Sequence, residues 1–226
     1  MADRSVVLLP GFLSSPRSCS TLVAALDAAG SEVVVPSLAP GRLALLTGRY
    51  TVEQEGVDAA AVVRAEIARG RRVLLAGHSR GGQAALRAAR ILVARDDERA
   101  GLLGLVLLDP VDGGGRRPAA RTTTAWRSAL GVPTTVVGAG HGGPCAPEPV
   151  NHVAFADAIP EARHVVVEGM GHADLLDGRE RALGRRLCGG ADDPDPARGL
   201  VAALLVAALD GRDPATLDHP LLRVLR

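Results

Sequence analysis

Ser79, Asp109 and His172 are far apart in the chain, but their types and settings suit nucleophilic catalysis. Ser79 lies in Gly77-His78-Ser79-Arg80-Gly81, a G-x-S-x-G pattern between the apolar run Val73–Ala76 and the alanine-rich stretch Gln83–Ala94. That reads as strand, tight turn, helix. In such a turn the nucleophile takes a sparsely populated backbone conformation, and its hydroxyl stands clear of the sheet. Glycines on either side keep β-carbons out of the space where strand and helix pack closely. The helix N-terminus then aims free N–H groups at a developing oxyanion. The plainer alternative is a glycine-rich βα turn in which Ser79 only caps the helix.

A serine hydroxyl is a poor nucleophile at neutral pH. It needs a histidine base, and the base needs a carboxylate to fix its tautomer. The expected chain order is Ser, acid, His. Of the later histidines, His141 follows a strand but sits where an acid is usually sought. His152 falls within a predicted helix, and His164 opens a strand. His172 follows the last predicted parallel strand in a Gly-x-Gly-His loop and is the base candidate. Asp109, at the end of the apolar run Leu102–Leu108, ranks first as the acid, followed by Asp112, Glu148 and Asp174. Two backbone donors are needed for the oxyanion. They are expected from Arg80, after the nucleophile, and from Phe12, with Leu13 as the alternative, in the loop after the first strand.

Other patterns carry less. Gly138-Ala139-Gly140-His141-Gly142-Gly143 matches a dinucleotide fingerprint, but Pro144, Pro147 and Pro149 stop the helix that such a site must open. His141 with Cys145 or Cys188 lacks a recognisable ligand set, so neither metal nor other cofactor is expected. Arg116, Arg117, Arg121 and Arg127 read as a solvated basic loop. Net charge of the 226 residues is +1, which gives no reason to expect nucleic acid as a partner. Three cysteines make no framework, although Cys145 and Cys188 could pair. The apolar runs Val6–Leu9 and Leu200–Leu209 are too short for a signal core or a membrane span. The expectation is a cytoplasmic protein with no stable membrane insertion, and the Ala-, Gly- and Arg-rich composition suggests a bacterial source.

These residues need elements to hold them. With 47% hydrophobic residues but 2% aromatic, the core must be built from Ala, Val and Leu. Strands are predicted at 5–9, 32–35, 73–76, 102–108, 133–137 and 164–167. Helices are predicted from about 18 to 29, from Thr51 to about 69, and at 83–94, 151–158, 179–187 and 197–209. Thr51 and Gln54 form a capping box, and Val57, Ala60, Val63 and Ile67 are the expected buried stripe of that helix. The alternation gives one α/β domain over residues 1–226, a doubly wound, mostly parallel sheet, with 211–226 as a loosely held tail. Continuous rather than alternating apolarity in 102–108 indicates burial on both faces. Ser79, Asp109 and His172 then fall at carboxyl ends of different strands, where such sheets carry their sites. Leu13, Leu45 and Trp126 are the expected walls of an apolar substrate pocket.

Several blocks together resemble the chlorophyllase branch of the α/β-hydrolases. They are Gly77-His78-Ser79-Arg80-Gly81-Gly82, Leu108-Asp109-Pro110-Val111-Asp112-Gly113, Cys145-Ala146-Pro147 with Val150-Asn151-His152, and Gly171-His172-Ala173-Asp174-Leu175-Leu176-Asp177. The resemblance implies an α/β-hydrolase fold; this chain is compact beside that family, and residues 114–129 are short for a lid, so little or no lid is expected. The resemblance also implies a Ser-Asp-His triad on Ser79, Asp109 and His172, and cleavage of carboxylic esters of small apolar molecules without a cofactor. Chlorophyllases cleave the phytyl ester of chlorophyll. Pro10 stands where related enzymes often carry histidine, and fold kinship does not fix a substrate. Acyltransferase, lactonase and thioesterase chemistry share the same acyl-enzyme. A non-catalytic ligand-binding protein on the same fold is the remaining alternative.

Overall fold

The computed structural model describes residues 3–12, 14–38, 50–113 and 122–226. Leu13 and Leu45, two of the expected pocket residues, lie outside the described residues, as do Arg116, Arg117 and Arg121. The strands are β1 (Arg4–Leu9), β2 (Glu32–Val34), β3 (Arg72–His78), β4 (Leu102–Leu108), β5 (Thr134–Ala139), β6 (Arg163–Val167) and β7 (Leu222–Val224). They form one seven-stranded sheet in the order β2-β1-β3-β4-β5-β6-β7. All pairs are parallel except β6 with β7.

Helices cover both faces of the sheet. On one face α2 (Val52–Ala68), α3 (Arg80–Val93) and α5 (His152–Ala158) share a core with inward residues of β1, β3, β4 and β5. On the other, α1 (Ser20–Ala28) and α7 (Asp195–Leu209) pack on the opposite sides of the same strands. The chain thus has the doubly wound α/β-hydrolase architecture. Its central strands β3, β4 and β5 are buried at nearly every position, as parallel strands covered on both faces must be. No described helix is long and apolar enough to cross a membrane.

The buried side of α2 differs from the expected stripe. Val57 is 48% exposed, and the inward face is Glu55, Gly56, Ala59, Ala60, Val63 and Glu66. The cause is close approach to α3: a β-carbon on Gly56 would sit 2.7 Å from Cβ of Arg87. Small residues let the two helices touch, so the larger valine turns outward and Glu55 turns in. Thr51 caps α2 as expected, accepting from the Gln54 N–H, but the Gln54 side chain bonds Asp58 rather than completing the box. A short helix α4 (Asp96–Gly101), not anticipated, leads into β4, and α6 (Gly178–Cys188) precedes α7.

The end of the chain is also held more firmly than expected. β7 adds antiparallel to β6, and the Arg226 guanidinium donates to the carbonyls of Ala156 and Ala162. Residues 222–226 therefore close the sheet edge beside β6, which would otherwise present unpaired backbone groups.

Register brings the site together. Gly77 pairs with Leu107 and His78 with Leu108, so β3 and β4 end level. The Ser79 N–H then donates to the Leu108 carbonyl at 3.0 Å, and the Asp109 N–H to the Val137 carbonyl at 2.7 Å. Three adjacent strands end in one backbone-linked shelf.

Candidate active site

Ser79 sits between β3 and α3 with φ 56° and ψ −123°, a conformation that side chains rarely adopt. The turn is that sharp because strand and helix nearly touch. A β-carbon on Gly77 would lie 2.2 Å from the Gly81 carbonyl oxygen, and one on Gly81 would lie 2.2 Å from that of Leu9. Glycine at both places is a packing requirement.

His172 lies in the loop after β6 and is buried. Its Nε2 is 2.9 Å from Ser79 Oγ, and its Nδ1 is 2.6 Å from Asp109 Oδ2. Asp109 accepts the Nδ1–H, which leaves Nε2 as the acceptor for the serine hydroxyl. The other Asp109 oxygen accepts from the Ala139 N–H at 3.1 Å. Asp109 itself has φ 39°, so the turn after β4 is also in the left-handed region. Burial alone would push its carboxyl up. The hydrogen bond and charge of His172, with the Ala139 N–H, outweigh burial and hold it below the ordinary carboxylate value.

The other acid candidates go elsewhere. Asp112 is buried but accepts from the backbone N–H groups of Thr122 to Thr124 and the hydroxyls of Thr122 and Thr124, and also from Gln83 Nε2 at 2.6 Å. Glu148 is exposed in the loop after β5. Asp174 is fully buried beside the His172 loop, where its Oδ2 accepts from the N–H groups of Gly171 at 2.7 Å and Ala191 at 2.8 Å. Of the remaining histidines, His152 Nδ1 and His164 Nε2 meet each other at 2.7 Å, and exposed His141 supports the loop through its N–H on the Met170 carbonyl.

Sequence reading missed these supports of His172. His78 is the clearest: its Nε2–H donates to the His172 carbonyl at 2.9 Å. Burial, reinforced by His172 nearby, pushes His78 down to about 4, so it stays neutral and keeps that single proton on Nε2. Its position one residue before the serine was visible, but its direction depends on the loop it meets. Cys145 and Cys188 form a disulfide whose Cα atoms are 5.2 Å apart. It ties the loop after β5 to the end of α6, next to the Gly190-Ala191 turn that Asp174 holds. Cys145 is therefore no thiolate ligand for a metal beside His141.

Gly11 packs on the serine: a β-carbon there would lie 3.3 Å from Ser79 Cβ and 3.4 Å from His78 Nδ1. Phe12 consequently borders the site, with the Arg80 guanidinium carbon 5.6 Å from its ring centroid. The Arg80 N–H is among the first helical donors, which have no partner within a helix. A cavity open to solvent begins at this loop and is lined by residues that include Gly11, Phe12, Leu38, Glu55, Arg80 and Ala84. Trp126 stands apart from it. The Trp126 ring is 72% exposed, and its carbonyl accepts from Arg90 in the last turn of α3, at the opposite end of the helix from Ser79.

The sequence model of the chlorophyllase family matches residues 51–214, which include all three residues of the hydrogen-bonded chain. The chain belongs to the chlorophyllase family. This chlorophyllase-family chain is 34% identical over 122 residues to Chlorophyllase-1 of Arabidopsis thaliana, a match covering 49% of the chain and 38% of that relative's length. Among solved structures, a dienelactone hydrolase-like promiscuous phosphotriesterase from metagenomic libraries is similar, with a TM-score of 0.63 and 15% identity. That similarity covers 92% of this chain and 87% of the other. An α/β-hydrolase superfamily protein from Xanthomonas campestris pv. campestris has a TM-score of 0.54 at 21% identity, covering 89% and 98%. At these identities the structures establish the shared α/β-hydrolase fold.

Proposed function

We propose that this family member is a serine hydrolase of carboxylic esters, acting through an acyl-enzyme on Ser79. The observation that carries the reading is the hydrogen-bonded chain Ser79–His172–Asp109, with the serine held at a strained turn. His172 Nε2 takes the Ser79 proton as Oγ attacks the ester carbonyl. Asp109 keeps the proton on Nδ1 and stabilises the imidazolium that forms. The carbonyl oxygen, now an oxyanion, accepts from the N–H groups of Phe12 and Arg80, each such donor contributing about 3 kcal/mol to the barrier reduction. The tetrahedral intermediate collapses, the C–O bond breaks, and His172 gives its proton to the leaving alcohol. Water then attacks the acyl-enzyme by the same route, releasing the acid and restoring the Ser79 hydroxyl.

The name of the Arabidopsis relative makes the ester of a chlorophyll the first natural substrate to examine. The test uses p-nitrophenyl esters of rising chain length and chlorophyll, each with wild type and Ser79→Ala. Wild type is expected to hydrolyse at least one ester, and Ser79→Ala to lose at least about 10⁴-fold in kcat with an unchanged fold. Full activity in folded Ser79→Ala would remove the mechanism. Ser79-dependent release of chlorophyllide would make the protein a chlorophyllase in activity. Turnover of simple esters alone would leave a general carboxylesterase on this family's frame.

A further inference from the structure

The cavity lined by Arg80 and Gly81, the two residues after Ser79, has an ion pair with unused donors in its wall. Arg80 Nε donates to both oxygens of Glu55 at 2.9 Å. Both side chains are largely covered, at 12% and 8% exposed. A guanidinium carries five N–H donors, and Nε supplies only one of them. Among the described residues, the terminal Nη nitrogens of Arg80 have no hydrogen-bond partner. Glu55 is where it is because α2 turns its small-residue face inward. Burial pushes its carboxyl up against the opposing pull of Arg80.

The side of the substrate that meets this pair follows from the chemistry. His172 must protonate the leaving alcohol, so the alcohol departs where Nε2 can reach it. The cavity lies toward the oxyanion loop, lined by residues of the Phe12 loop and by Leu38, Glu55, Arg80, Gly81 and Ala84; neither Ser79 nor His172 is among its lining residues. With the alcohol placed at His172, the acyl part is the one we assign to this cavity, whose Arg80 and Gly81 directly follow Ser79.

We propose that the Arg80–Glu55 pair selects the acyl group: it favours an otherwise apolar acyl chain carrying an uncharged oxygen acceptor, such as a ketone, and disfavours a carboxylate. This rests on the ester-hydrolase reading above. A purely hydrocarbon chain would displace water from the Nη donors without replacing its hydrogen bonds. A carboxylate would bring a second negative charge beside Glu55, which already neutralises the guanidinium. An uncharged oxygen meets the free donors without that repulsion.

The test compares kcat/KM for three esters with one alcohol and similar acyl size: ethyl pentanoate, ethyl 4-oxopentanoate and monoethyl succinate. In wild type the keto ester should exceed ethyl pentanoate by about tenfold, the worth of one hydrogen bond to a charged group. The succinate should fall below both. Glu55→Gln should raise succinate at least tenfold relative to the keto ester, and Glu55→Gln/Arg80→Met should erase the keto preference. Thermal melts report whether the variants fold, and the wild-type ranking alone decides if they do not. Hydrolysis of ethyl pentanoate without a keto preference, or a preference surviving in the folded double variant, overturns the proposal and leaves the hydrolase reading intact. No turnover of any ester, with no phosphonate adduct on Ser79, overturns both.

Discussion

Asp109 and Asp112 leave the same turn after β4, and both are buried, yet they work in different halves of the site. Asp109 turns at φ 39° toward β5 and β6, where it meets His172 and the Ala139 N–H. Asp112 turns back toward α3 and gathers Gln83, the backbone N–H groups of Thr122, Thr123 and Thr124, and the hydroxyls of Thr122 and Thr124. For both, burial raises the carboxyl pKa and hydrogen bonds more than offset it, leaving both below the ordinary value. A depressed carboxylate pKa therefore does not distinguish the proposed triad acid from its neighbour. What separates them is the partner: Asp109 meets an imidazole whose other nitrogen reaches Ser79 Oγ, whereas Asp112 meets an amide, hydroxyls and backbone N–H groups.

Replacing each by its amide should widen that contrast. Asp109→Asn is expected to cut kcat about 10⁴-fold, because the amide can no longer fix the Nδ1–H tautomer of His172. Its thermal unfolding should move far less than its rate. Asp112→Asn should do the reverse. An amide N–H₂ would face donors already committed to a carboxylate, which should cost roughly 2–4 kcal/mol in denaturant unfolding and leave kcat within about tenfold. Comparable rate losses in both variants would mean that the turn acts as one unit.

A smaller effect separates them by pH. The Asp112 pKa is lowered on folding, so its contribution to stability is complete above the unfolded carboxylate value of about 4. That contribution is lost as pH falls through the lower folded value. The stability gap between wild type and Asp112→Asn should thus be constant near neutrality and shrink below about pH 4. A gap that does not change with acid would assign the loss to packing rather than to the carboxylate charge.

Much of this was legible in the sequence, for identifiable reasons. The apolar runs of β3, β4 and β5 and the glycine spacing around Ser79 are local signals. Strand ends in a parallel sheet are where side chains converge, so Ser79, Asp109 and His172 could be placed together without a structure. Asp109 ranks ahead of Asp112 because it ends the strand itself and the family resemblance points to it, but the sequence leaves Asp112 open. What escaped was set by contacts between distant segments. Glu55 turns inward only because Gly56 lets α2 approach α3. Asp174 and the Cys145–Cys188 link act on the His172 loop through the Gly190-Ala191 turn, a meeting that no local pattern encodes. The tail looked loose because β7 has only three residues, and its antiparallel pairing depends on an open edge at β6.

The most direct test of the central claim, that His172 and Asp109 activate Ser79, is labelling with a fluorophosphonate followed by peptide mass spectrometry. The native protein should carry one adduct, on Ser79. Labelling should be slowed severely in Asp109→Asn, change little in Asp112→Asn and vanish on unfolding. A folded protein that takes no adduct, takes it elsewhere, or labels equally fast in Asp109→Asn would contradict that claim.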